Sequence, residues 1–128
     1  LYCLFLDREN AKEGLKTILK AIEYVKNGIS IFIFPEGTRN KGEELSLLPF
    51  KDGAFRIATK TGCPIVPVSL NNTADILENH FPHIKKTHVV IEYGKPIYPN
   101  ELDAETKKHI GAYVQNIVQE TINKNAEI

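Results

Sequence analysis

Glu36, Thr38 and Arg39 share one short run, Phe34-Pro35-Glu36-Gly37-Thr38-Arg39, which sets a carboxylate, a hydroxyl and a guanidinium around a glycine. That combination builds an anion site. The Arg39 guanidinium is a planar fork matched to a phosphate or a carboxylate. Gly37 lets backbone approach a bound group closely, and Pro35 cannot donate to a strand ladder. Arg8 and Lys51 stand at similar junctions between apolar runs and polar turns, where open α/β sheets bind ligands. The three cations could converge on one anion. Each could equally pair with Asp7, Glu36 or Asp52 in a surface ion pair of little energetic consequence. Glu36, enclosed by Pro35 and Gly37 at the end of an apolar run, is better suited to orienting Arg39 or accepting backbone hydrogen bonds than to proton transfer.

Several elements must position these side chains. Ile31–Phe34 has no polar residue after Ser30, the pattern of a strand buried on both faces that presents the residues after its carboxyl end at a sheet rim. Leu1–Leu6 reads as an earlier strand. Between them, Asn10 to Gly28 places Leu15, Ile18, Leu19, Ile22 and Val25 at helical spacing, with Asn10 able to cap the start and Gly28 the end. Strand, helix and the strand Ile29–Phe34 predict a right-handed crossover with parallel pairing. Asn40 to Glu44 is a polar loop. A short helix from Asp52 carries Ala54, Phe55, Ile57 and Ala58 and stops at Gly62, and Ile65–Leu70 and Val89–Tyr93 read as further strands. A last helix, begun by Glu101 or Asp103, aligns Ile110, Val114, Ile117, Val118 and Ile122 on a core-packing face. The expected fold class is α/β, a largely parallel sheet flanked by helices, in one domain over residues 1–128 that is incomplete at its amino-terminal side.

Composition narrows the function classes. The chain has 128 residues, 42% of them hydrophobic, enough for one core. Sixteen basic residues balance sixteen acidic ones, which speaks against broad binding to nucleic acid. Positive charge gathers locally, where Arg39, Lys41, Lys51, Arg56 and Lys60 outnumber Glu43, Glu44 and Asp52. Cys3 and Cys63 lack paired spacing and read as reduced thiols. His80, His83 and His88 have no carboxylate or thiolate at ligand spacing, so no metal is expected. No apolar run approaches the roughly 20 residues of a membrane span. The chain opens on Leu1 inside an apparent strand and contains no methionine, which reads as a piece of a longer protein.

These residues carry a resemblance. The chain resembles the carboxyl-terminal part of the glycerophospholipid acyltransferases, and most of all the 1-acylglycerol-3-phosphate acyltransferases. Phe34-Pro35-Glu36-Gly37-Thr38-Arg39 matches that family's third sequence block. Leu4-Phe5-Leu6-Asp7-Arg8 resembles the second, although Tyr2 stands where a glycine is usual. Pro49-Phe50-Lys51-Asp52-Gly53-Ala54-Phe55 resembles the segment after the third block, and Ile65-Val66-Pro67-Val68 the fourth. Order and spacing agree from about Leu4 to Ile97.

The resemblance implies that Arg8, Glu36, Gly37, Thr38 and Arg39 bind a glycerol-phosphate acceptor, with Lys51 as a further phosphate contact and Pro67 on the acyl-donor side. It implies acyl transfer from acyl-CoA or acyl carrier protein to a lysophospholipid, forming phosphatidic acid without cofactor or metal. The whole protein would act at the cytoplasmic side of a membrane, attached peripherally or by sequence outside this chain. The family's first block, His-x-x-x-x-Asp, supplies the general base and its orienting carboxylate. Five positions after His80, His83, His88 and His109 stand Lys85, His88, Tyr93 and Val114. No residue of this chain is therefore assigned to proton transfer, and the fragment alone is expected to be inactive. A non-catalytic lipid-phosphate-binding module and an acyltransferase for another acceptor, such as glycerol 3-phosphate, are the alternative readings.

Overall fold

A computed structural model describes residues 2–43 and 45–128. Leu1 of the first expected strand and Glu44 of the polar loop lie outside the described residues. Helix α1 spans Ala11–Lys26. Asn10 Oδ1 accepts from the backbone N–H groups of Lys12 at 3.1 Å and Glu13 at 3.3 Å, satisfying donors that have no partner inside the helix. At the other end Gly28, with φ 83°, takes the left-handed conformation. Ile29 N–H donates to Tyr24 C=O and Gly28 N–H to Val25 C=O, which closes the helix with a paired glycine cap. Both stops were written locally.

Helix α2 spans Asp52–Thr61 and also ends on a left-handed glycine, Gly62 with φ 74°, whose N–H donates to Ala58 C=O at 2.8 Å. Strand β1, Val68–Asn71, pairs with strand β2, Val90–Tyr93. A further bridge joins Ile65 to Ile97. Short 3-10 turns at Thr73–Asp75 and Glu78–His80 lie in the connection. Helix α3, Ala104–Lys108, follows Asp103, and a break at His109 leads into helix α4, Ile110–Asn125. The one expected last helix is thus two segments.

The sheet differs from the expectation. Among the described residues it has two strands, and they are antiparallel, with Val68 opposite Tyr93 and Asn71 opposite Val90. Between β1 and β2 the chain reverses without an α-helix to carry it back across the sheet, so the parallel arrangement does not arise there. Residues 2–6 and Ile29–Phe34 form no ladder among the described residues. Phe32 is 65% exposed and Phe34 68%, against the burial expected on both faces. An apolar run records a need for burial but does not supply the neighbouring strand that would provide it. Phe5 C=O instead accepts from Thr17 Oγ1 at 3.1 Å, so this segment lies along α1.

The core sits between α2, α4 and the sheet. Phe55, Ile97, Ile110, Val114, Val118 and Ile122 are buried together, with Leu47, Phe50 and Ile117 packed against them. Four of the five aligned residues of the last helix are therefore fully buried and Ile117 partly so. The α4 side of β1 is polar. Ser69 Oγ donates to Val118 C=O at 3.5 Å and Asn71 Nδ2 to Ile122 C=O at 3.0 Å.

Beyond these, Lys124 Nζ meets Glu92 Oε1 at 2.8 Å. That hydrogen bond, reinforced by the ammonium's charge and by Asn125, holds the Glu92 carboxyl below its ordinary value despite some desolvation. A carboxylate whose folded pKa is depressed adds stability above its unfolded pKa and loses it as pH falls through the folded value. Lys124→Met is accordingly expected to lower stability slightly at neutral pH and not at all in strong acid. Urea denaturation of both proteins across pH measures this, and a difference that persists in acid would assign the effect to packing.

Candidate functional site

The run from Phe34 to Arg39 begins as a turn. Gly37 N–H donates to Phe34 C=O at 3.2 Å, closing a four-residue loop with proline second and glycine fourth, the places each favours in the commonest turn type. Gly37 has φ 71°, and a Cβ added there would meet Lys51 Cγ at 3.4 Å. The Lys51 side chain therefore runs alongside the glycine of the turn. The left-handed φ is what favours glycine here, since the Lys51 methylene would stand at ordinary contact distance.

A second segment braces this turn. Lys51 N–H donates to Pro35 C=O at 2.8 Å, and Leu48 N–H donates to the Glu36 carboxylate, at Oε2, also at 2.8 Å. Glu36 is half-buried and points into the protein's own backbone. A carboxylate receiving an amide in this way is an orienting group with its lone pairs partly committed. The remaining amides of the segment turn the other way. Leu47 N–H donates to Gln119 Oε1 at 3.2 Å and Phe50 N–H to Gln115 Oε1 at 3.0 Å. Every non-proline amide from Leu47 to Lys51 is thus paired, alternately with α4 and with the turn.

Neither glutamine figured among the expected site residues. Their signal was two neutral amides one helical turn apart, beside Val114 and Val118 on the inner side of an apolar stripe. Gly111 contributes as well. A Cβ there would lie 2.9 Å from Asp52 Oδ1 and 3.5 Å from Phe50 C=O, so its absence lets α4 approach this segment directly.

The cations project outward. Arg8, Arg39 and Lys51 are exposed, and none forms an ion pair with a described carboxylate. Pairing with Asp7, Glu36 or Asp52 is not what the structure shows. Asp7 Oδ1 instead accepts from the N–H groups of Glu9 and Asn10 ahead of α1, and Glu36 takes Leu48. Thr38 is exposed beside Arg39. The structure brings Lys51 and the Glu36–Gly37 turn together. No hydrogen bond or ion pair among the described residues joins Arg8 to them.

Pro67 lies apart. It is buried, accepts from Gly94 N–H at 2.8 Å, and packs where a Gly94 Cβ would meet its ring at 3.4 Å. No group of three or more potential metal ligands occurs among the described residues. Arg39, two residues past the turn, and Lys51, whose side chain lies along Gly37, are both exposed beside a turn that is tied to Leu48 and Lys51, and such cations can hold a phosphate by charge-assisted hydrogen bonds.

Comparison with known proteins shows the family to which the chain is similar. Residues 1–71 match the family model described as Acyltransferase. A 1-acyl-sn-glycerol-3-phosphate acyltransferase of Saccharomyces cerevisiae is 35% identical over 125 residues, covering 97% of this chain and 40% of the relative. The Escherichia coli protein of the same name is 32% identical over 123 residues, covering 93% and 47%. Among solved structures, the 1-acyl-sn-glycerophosphate acyltransferase PlsC from Thermotoga maritima superposes with a TM-score of 0.76 at 28% identity, over 88% of this chain and 45% of that one. The chain spans less than half the length of these relatives.

Proposed function

The chain belongs to the Acyltransferase family, and from that premise we propose that it is the acceptor-binding part of a 1-acylglycerol-3-phosphate acyltransferase that makes phosphatidic acid. One observation carries this reading. The turn at Pro35–Gly37 is tied to Leu48 and Lys51 from behind, while Arg39 and Lys51 face outward without a described carboxylate partner. Relatives named for this reaction supply its substrate class.

In the proposed reaction the free hydroxyl of the acceptor attacks the thioester carbonyl of acyl-CoA or acyl carrier protein. The new C–O bond forms, the C–S bond breaks, and the hydroxyl proton passes through a general base to the departing thiolate. Arg39 and Lys51, with Arg8, hold the acceptor phosphate. Gly37 and Thr38 shape the loop around it, and Glu36 keeps the turn in place. Pro67 borders the acyl-donor side. The base is assigned to a His-x-x-x-x-Asp block elsewhere in the whole protein, and no cofactor or metal takes part.

The site of action is proposed to be the cytoplasmic side of a membrane. No helix among the described residues is long and apolar enough to cross one, so the reading relies on peripheral attachment or on other sequence. The largely parallel sheet is likewise proposed for the whole protein. Supporting it are the exposed apolar side chains of Phe5, Phe32 and Phe34, and those of Ile91 and Tyr93 on one face of β2.

Assay of the complete protein tests the function, with each thioester offered in turn to 1-acylglycerol 3-phosphate, glycerol 3-phosphate and a lysophospholipid lacking a phosphate monoester. Preference for 1-acylglycerol 3-phosphate is expected. Binding of that lipid without turnover would leave a non-catalytic module in its place. The 128-residue chain alone is expected to release no thiol from either thioester, and measurable turnover by it would return the base to this sequence.

A further inference from the structure

We propose that Gln115 and Gln119 of α4 are positioning residues for the acceptor site, acting through the segment Leu47–Lys51. No hydrogen bond among the described residues joins either to the turn at Glu36. Gln119 Oε1 accepts from Leu47 N–H and Gln115 Oε1 from Phe50 N–H, while the intervening and following amides, Leu48 and Lys51, donate to Glu36 and to Pro35 C=O. Along this stretch, holding the amides on one side restricts the direction of those on the other, because each planar peptide unit turns only about the two torsions beside it and Pro49 locks one of them. The last helix thereby sets where Glu36 and Lys51 stand.

The apolar contacts alone do not supply this register. Leu47 and Phe50 pack on the core, but hydrophobic packing is non-directional and would allow the backbone to rotate or slip. The glutamines are directional. Gln119 is committed at both ends, since its Nε2 donates to Leu45 C=O and to Asn123 Oδ1 at 3.1 Å. Gln115 makes one bond among the described residues, through its oxygen. This difference gives the two positions different tolerances. Gln115→Glu keeps the acceptor that Phe50 needs. Gln119→Glu keeps the acceptor for Leu47 but sets a carboxylate against the Leu45 carbonyl.

The inference rests on the acceptor-site reading above, and the experiment separates the two. In the complete protein, Gln115→Leu, Gln119→Leu and Gln115→Glu are compared with wild type. Measured are KM for 1-acylglycerol 3-phosphate, KM for the thioester, thermal midpoint, and amide hydrogen exchange across residues 45–51. Each leucine variant is expected to raise the acceptor KM about 10-fold with the thioester KM unchanged, and to speed exchange at Leu47–Lys51. Gln115→Glu is expected to restore both. Equal rises in the two KM values, losses that merely follow the thermal midpoint, or unchanged exchange would overturn the positioning role. If wild-type protein uses no acceptor at all, the functional reading fails, and exchange by itself decides whether the glutamines hold the segment.

Discussion

Arg39→Ala in the complete protein is expected to lower kcat/KM for 1-acylglycerol 3-phosphate by about 30-fold or more, roughly 2 kcal/mol of transition-state binding. The size reflects the setting of the side chain. Arg39 is exposed and forms no ion pair with a described carboxylate, so little internal interaction is lost when it is removed. On the proposed reading, its bond to the acceptor phosphate is the interaction that disappears. Charge-assisted hydrogen bonds to phosphate are about twice as strong as neutral ones, and a guanidinium can make two at once. Arg39→Lys should recover only part of the loss, because an ammonium retains the charge and not the fork. Kinetics with acceptor and thioester varied separately provide the check, and the thioester KM should not move. Unchanged acceptor kinetics would remove Arg39 from the phosphate site.

Phe55→Ala is expected to carry the largest cost in stability, about 3–5 kcal/mol. Native domains commonly have only about 5–15 kcal/mol in total. Phe55 is 6% exposed and belongs to the core shared by α2 and α4. Its ring lies 6.3 Å from that of Phe50 at an interplanar angle of 21°. Truncation leaves a cavity and removes the ring on which Phe50 stacks, so the segment leading to Lys51 should loosen as well. Phe34→Ala is the contrast. That ring is 68% exposed, and in the 128-residue chain its loss should change stability by no more than about 0.5 kcal/mol. Urea denaturation of both variants decides the matter, and equal losses would mean that the core is wrongly placed.

Much of the local structure was legible because its causes lie within a few residues. Asn10 caps α1 through its own side chain, and Gly28 and Gly62 end helices by a conformation that other residues resist. The apolar spacing from Ile110 to Ile122 likewise identified the face that α4 buries. Pairing partners were not legible in the same way. Ile29–Phe34 has the composition of a buried strand, yet among the described residues no strand lies beside it. The sheet that does form is antiparallel because the connection between β1 and β2 reverses without a crossover helix.

The chemical inventory is local: a guanidinium and a hydroxyl beside a glycine turn, an ammonium soon after, and helices stopped at their own glycines. Those features depend on neighbours in the chain. How the inventory is used depends on contacts between distant parts of the chain. Glu36 accepts an amide from Leu48, Lys51 lies along Gly37, and Gln115 and Gln119 brace the joining segment from α4. The hydrogen bonds from Phe50 to Gln115 and from Leu47 to Gln119 span 65 and 72 residues. No local pattern encodes such partners, because only packing of α4 on the core brings those side chains within reach of the amides they hold.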